Sequence, residues 1–119
     1  MQSDKQLKAN IGIPERRVII AVCDEYQLKP HFLWSNQKKR DIAEPRMIAQ
    51  MIIKHHLHRT LKESAEPWGF NYSSISRAKS TFVNTYETDS NFRAKVGNIF
   101  DRLKMSDLQV FEFFSNVEE

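Results

Sequence analysis

Apolar residues recur along most of the chain at intervals of three and four positions, which is the repeat of an amphipathic α-helix. The first stripe begins after Pro14, and proline is favoured in the first turn of a helix. Its members are Val18, Ile19, Val22, Cys23 and Tyr26. A second long helix is expected to begin at Pro45 and to run to about His58. Between the two, a helical turn over 30–34 is expected to place Phe32 and its apolar neighbours in the core.

Capping residues mark the starts of the later helices. Asn71 is a good N-cap for a helix from Tyr72 to about Tyr86, because its side chain accepts a hydrogen bond from a free backbone N–H. Asp89 or its neighbour opens the next helix. Ser106 and Gln109 form a capping box ahead of the last one. No run alternates strictly enough to predict a strand.

One stretch, residues 60–82, has the order of elements of a helix-turn-helix. A short helix over 61–65 precedes a break at 67–70, and a longer helix then opens with small hydroxyl residues. These residues are Ser73, Ser74 and Ser76. Short side chains let a recognition helix approach base edges in the major groove, where Arg77 reaches guanine or phosphate. The same order is also an ordinary packing unit of helical proteins.

These helices predict an all-α fold, a small helical bundle that contains a helix-turn-helix and carries an extra C-terminal helix. The 119 residues suffice for one small domain. We expect a flexible N-terminal tail over 1–13, the helix-turn-helix domain over 14–104 and an apolar helix over 105–119. A single cysteine excludes an intramolecular disulfide and fits a reducing compartment, so the cytoplasm is the expected location.

Positive charge is concentrated in the middle of the chain. The 18 basic and 15 acidic residues leave a formal net charge of +3, but residues 29–62 alone hold eight basic and two acidic residues. Because each Lys or Arg near a phosphate releases condensed counterions, such a segment is typical of a polyanion-binding surface. A solvated face that only keeps the protein dissolved is the plainer interpretation of the same charges.

The last predicted helix is apolar on more than one side. One stripe consists of Leu108, Phe111 and Phe114, and a second consists of Val110, Phe113 and Val117. A short helix cannot bury both stripes against a single surface, so one is expected to close the core and the other to stay free. The free stripe predicts either a homodimer or a protein-interaction module.

Two segments carry a resemblance to a known family. Ser35–Met51, SNQKKRDIAEPRMIAQM, is similar to a basic loop followed by a helix start of R-P-R type. Gly69–Ala78, GFNYSSISRA, resembles the signature G-x-x-D-H-T-T-V-x-x-A. Both features belong to the C-terminal DNA-binding domain of the bacterial replication initiator DnaA, a helical domain related in fold to the Trp repressor. The resemblance extends over residues 16–103, and at Glu44 an acid replaces a basic residue of the family.

The resemblance implies a double-stranded DNA partner, with the signature helix in the major groove and the basic loop in the minor groove. Arg40, with Lys38, would enter the minor groove, whose negative potential favours arginine where it is narrow. Arg46 would meet a phosphate. Asn71 and Tyr72 replace the family's Asp-His pair, so the preferred DNA sequence is expected to differ. The predicted DNA-binding residues are Lys38, Lys39, Arg40, Arg46, Asn71, Tyr72, Ser73, Ser74, Ser76 and Arg77.

Several classes of function are not expected. The chain has neither a nucleophile with a recognisable base nor a paired-carboxylate motif, so no catalytic residues are predicted. The phosphate-loop motif G-x-x-x-x-G-K-[ST] is absent, so no nucleotide or other cofactor is expected. His55 and His58 lack a third ligand at fixed spacing, so no metal site is expected. The histidines are instead expected to add charge near DNA at mildly acidic pH. The apolar runs are much shorter than the roughly 20 residues of a membrane span.

The expected function is sequence-specific binding of double-stranded DNA in replication initiation or transcriptional control, without ATPase activity. A chain that starts at Met1 favours a stand-alone protein of the kind carried by phages or other mobile elements. The alternative is a helical adaptor that binds other proteins through its apolar C-terminal helix.

Overall fold

Five α-helices make up the described part of the chain. The computed structural model describes residues 12–34, 40–60 and 72–118, with only the backbone described at 34, 40 and 72–76. The helices are α1 (Ile13–Tyr26), α2 (Arg40–His55), α3 (Tyr72–Thr88), α4 (Ser90–Arg102) and α5 (Asp107–Glu118), with a 3-10 helix, Pro30–Trp34, between α1 and α2. The predicted all-α fold is confirmed. The predicted short helix over 61–65 lies outside the described residues. No described helix is long and apolar enough to cross a membrane.

α2 is the central helix of the bundle. It packs against α1, α3, α5 and the 3-10 helix. Six consecutive residues, Ile48–Ile53, are at most 5% exposed. A helix that is buried on all sides lies in the middle of a fold. α4 packs against both α1 and α3 and so closes the bundle on a further side.

The start of α2 differs from the sequence prediction. α2 begins at Arg40, so Pro45 lies inside the helix and not in its first turn. A proline inside a helix removes one backbone hydrogen bond and crowds the preceding turn, which costs about 3 kcal/mol. The additional turn buries Ile42, and Pro45 is itself buried. Burial of this apolar surface, which a local pattern does not reveal, offsets the lost hydrogen bond.

The 3-10 helix buries less than predicted. Leu33 is fully buried, but Phe32 is 36% exposed and lies beside the ring of His31. The prediction that Phe32 belongs to the core is therefore wrong. Consecutive residues of a 3-10 helix point in directions about 120° apart, so Phe32 and Leu33 cannot both face the bundle.

α5 completes an aromatic cluster in the core. The ring of Phe113 lies 5.3 Å from that of Phe100 and 5.8 Å from that of Phe82, and both pairs meet edge to face. Phe113 and Val117 are almost completely buried. One of the two predicted stripes of α5 therefore closes the core.

The other stripe of α5 is divided. Leu108 and Phe111 are 65% and 69% exposed, whereas Phe114 packs partly buried against the core. At 100° per residue, Phe114 is turned about 120° away from Leu108 around the helix. Residues spaced by three shift around the helix with each step, so Phe114, the last residue of the stripe, faces the core.

Two helix starts carry the predicted caps. Asp89 Oδ1 accepts hydrogen bonds from the N–H groups of Asn91 and Phe92, at 3.0 and 3.1 Å. Ser106 Oγ accepts from the N–H of Gln109 at 3.1 Å, and Gln109 Oε1 accepts from the N–H of Ser106 at 2.9 Å. The capping box predicted for α5 is confirmed.

Candidate nucleic-acid interface

α2 and α3 run antiparallel. At one end, a groove of about 400 Å³ lies between the start of α2 and the end of α3. It is lined by Ala43, Glu44, Met47, Thr81, Thr85, Thr88 and Asp89. At the other end, Lys54 and His55 of α2 line a pocket together with Lys79 of α3. The first turns of α3 therefore lie near the end of α2, whereas Arg40 and Arg46 lie towards its opposite end.

The first turns of α3 hold the residues predicted to read DNA. The helix begins at Tyr72, so the three predicted serines belong to its first two turns. Arg77 follows them, and its side chain is exposed. The predictions for Lys38, Lys39 and Asn71 lie outside the described residues.

Arg40 and Arg46 belong to the first two turns of α2. The Arg46 side chain is half-buried, and this burial lowers the pKa of its guanidinium. Arginine keeps its charge at neutral pH despite such a shift, because its ordinary pKa is above 12. Arg46 is therefore a positive charge held close to the body of the protein.

A basic pocket that the sequence did not indicate lies where α2, α3 and α5 meet. It has a volume of about 430 Å³ and is lined by Lys54, His55, His58, Arg59, Lys79 and Asn116. Arg59 is held by Glu15, whose Oε2 accepts a hydrogen bond from Nε at 2.7 Å. Lys54 and Lys79 form no ion pair within the part of the chain that the structure describes. Two unpaired lysines from neighbouring helices thus share one pocket near the first turns of α3.

The pocket has a positive electrostatic potential. Burial, together with the charges of Lys54, Lys79 and His58, lowers the pKa of His55 to about 4. Burial and His58 also lower the pKa of His56. The prediction that the histidines gain charge at mildly acidic pH is therefore wrong for His55. Burial is the main cause of this shift, and the neighbouring positive charges, which would also attract an anion, add to it.

Glu44 has a structural partner. The hydroxyl of Tyr26 donates a hydrogen bond to Glu44 Oε2 at 2.6 Å, which ties α1 to α2. Glu44 also lines a neighbouring groove together with Asp41 and Asp89. The acid that departs from the family pattern therefore serves the packing of α1 on α2.

Cys23 is a core residue. It is 2% exposed, and burial with the nearby charge of Asp24 raises the pKa of its thiol to about 12. A thiol that stays protonated is not a nucleophile. Within the described ranges, no three His, Cys, Asp or Glu side chains converge on a point that could hold a metal ion.

An all-α bundle in which Arg77 of α3 is exposed, and in which α2 and α3 form a basic pocket, has the features of a helical DNA-binding domain. A family model described as the bacterial DnaA protein helix-turn-helix matches residues 16–81, more than half of the chain. The chain therefore belongs to this family, and the resemblance found in Ser35–Met51 and Gly69–Ala78 is confirmed. The family's domain binds DNA and is not catalytic, and double-stranded DNA is its partner. The match ends inside α3, so α4 and α5 lie beyond it.

Proposed function

We propose that this protein binds double-stranded DNA sequence-specifically, with the first turns of α3 in the major groove. The observation that carries the proposal is the basic pocket near those turns, which holds two unpaired lysines, Lys54 and Lys79. Phosphates border the major groove, and contacts with them fix the position of a recognition helix. Arg77 and the serines before it then read the base edges.

A second contact is proposed at the start of α2. Along this helix, Arg40 and Lys54 are roughly 21 Å apart at a rise of 1.5 Å per residue. Half a turn of duplex DNA is about 17 Å, so the two ends of α2 can reach neighbouring grooves. Arg40, with Lys38, would lie at the minor groove, and Lys39 and half-buried Arg46 would meet phosphates.

The proposed role is replication initiation or transcriptional control. These 119 residues contain no phosphate-loop motif, so we propose that they act without an ATPase activity of their own. A phage or another mobile element is the proposed source, and the cytoplasm is the proposed location. A homodimer through α5 stays a prediction.

Selection of bound sequences from a random duplex pool tests the proposal. We expect one short box to be enriched, with binding that weakens steeply as salt is added. A scrambled box should bind at least about 1,000-fold more weakly. Recovery of no common sequence, or a preference for single strands, would contradict the proposal.

A further inference from the structure

An apolar face on α5 lies outside the surface proposed for DNA. Leu108 and Phe111 are one helical turn apart, at 65% and 69% exposure. Among the large apolar side chains that the structure describes, only Ile13 is more exposed, and it is the first residue of its helix. Leu108 and Phe111 therefore form an adjacent apolar pair that no described element covers.

α5 is held in place around this pair. The capping box of Ser106 and Gln109 fixes its first turn. Phe113 anchors its middle in the aromatic cluster. Near its end, Asn116 Nδ2 donates a hydrogen bond to the carbonyl oxygen of His55, at 3.1 Å. The exposed pair thus belongs to an ordered helix, which binds a partner without a large entropic cost of ordering.

The edges of the exposed face are acidic. α5 contains Asp107, Glu112 and Glu118 and no basic residue. At 100° per residue, Glu112 and Glu118 lie on opposite sides of the exposed pair. Neither carboxylate forms an ion pair within the described part of the chain. Their charges are therefore available to a partner.

The acidic edges of the exposed face limit the kinds of molecule that can bind there. Acidic edges repel DNA and anionic lipid. A second copy that docked through the same face would bring six carboxylates together, and like charges repel. We infer that α5 docks its Leu108 and Phe111 face into an apolar groove on another protein, and that lysine or arginine residues edge this groove. Two anchors one turn apart are the usual pattern for a helix in a groove.

A matched pair of synthetic two-helix hairpins tests this inference. Both present the same apolar groove, which is edged by lysines in one hairpin and by glutamates in the other. We expect the lysine-edged hairpin to bind at least about tenfold more tightly and to shift the amide resonances of α5. Leu108→Ser with Phe111→Ser should abolish binding. Ile13→Ser, which removes an equally exposed apolar side chain elsewhere, should leave binding unchanged.

Charge reversal provides the second variant. Glu112 is exposed, so Glu112→Lys should fold normally and should move the preference towards the glutamate-edged hairpin. The Leu108→Ser, Phe111→Ser double variant and Glu112→Lys should both keep the wild-type affinity for the selected DNA box. This result separates the present inference from the DNA-binding proposal. Equal binding of the two hairpins, or an unchanged preference in Glu112→Lys, would overturn it. So would self-association of the wild type that the double variant loses, because a second copy would then occupy the face.

Discussion

The part of the chain that the family model matches and the part that follows it carry opposite charge. Residues 16–81 hold twelve basic and six acidic residues, whereas residues 82–119 hold four basic and seven acidic residues. The two parts nevertheless share one core, since α5 packs against α2 and the ring centroid of Phe113 lies 6.3 Å from that of His55. The difference teaches that the family match delimits the proposed DNA-binding surface and not the unit that folds.

The largest expected effect is on the free energy of unfolding, and it shows whether α5 belongs to the folding unit. Phe113→Ala should lower the free energy of unfolding by about 3–5 kcal/mol, because it leaves a cavity among Phe82 and Phe100. Phe111→Ala, on the exposed side of the same helix, should change it by only about 0.5 kcal/mol. Urea unfolding followed by circular dichroism measures both. Equal costs for the two variants would show that α5 is an appendage.

The next largest effect is on DNA affinity, and it concerns only the part of the chain that the family model matches. Arg77→Ala should weaken binding to the selected box by about 1–3 kcal/mol and relax the preference at one or two base pairs. Arg93→Ala provides the control, because Arg93 is an exposed arginine beyond the family match. Fluorescence anisotropy on single-base variants of the box measures both changes. If Arg77→Ala weakens binding to all DNA sequences equally, Arg77 contacts only phosphate.

A smaller effect distinguishes the basic pocket from charge in general. Lys79→Ala should weaken binding to all duplexes to a similar extent and reduce the salt slope by about one, as expected for a phosphate contact. Lys39→Ala should behave in the same way. Lys95→Ala removes the same charge from α4, where Lys95 lines the acidic groove, and should leave the slope unchanged. Equal slopes for Lys79→Ala and Lys95→Ala would argue against the pocket.

The smallest effect is a pH dependence of stability. The pKa of His55 is about 4 in the folded protein and near 6.5 when the chain is unfolded. The unfolded state therefore takes up a proton first, and stability falls as the pH decreases from about 6.5 to 4. His55→Gln should lose less stability over this range than the wild type. Thermal unfolding at pH 7 and pH 4.5 provides the comparison, and an equal loss in both proteins would exclude His55 as a cause.

Local features of the fold could be predicted from the sequence, and features set by packing could not. The capping box of Ser106 and Gln109 depends on residues three apart, so the pattern alone was sufficient. The start of α2 at Arg40 depends on the burial of Ile42 and Pro45 by distant elements, so the pattern indicated the wrong residue.

The candidate site shows the same limit. The basic segment and the start of α3 are visible in the sequence, because charge and capping residues cluster along the chain. The sequence does not show that Lys54 and Lys79 line one pocket, because the two lysines come together only where two antiparallel helices meet.

Asp89 is the single residue between α3 and α4, so the connection between the two helices is as short as it can be. Its N–H donates to the carbonyl oxygen of Thr85 at 2.9 Å, while its carboxylate caps α4. One residue inserted in the first turn of α4 would rotate the rest of that helix by about 100° and turn Phe100 away from the core. The length of the chain is therefore fixed at this corner. A natural insertion or a domain fused at this corner should therefore destabilise the fold.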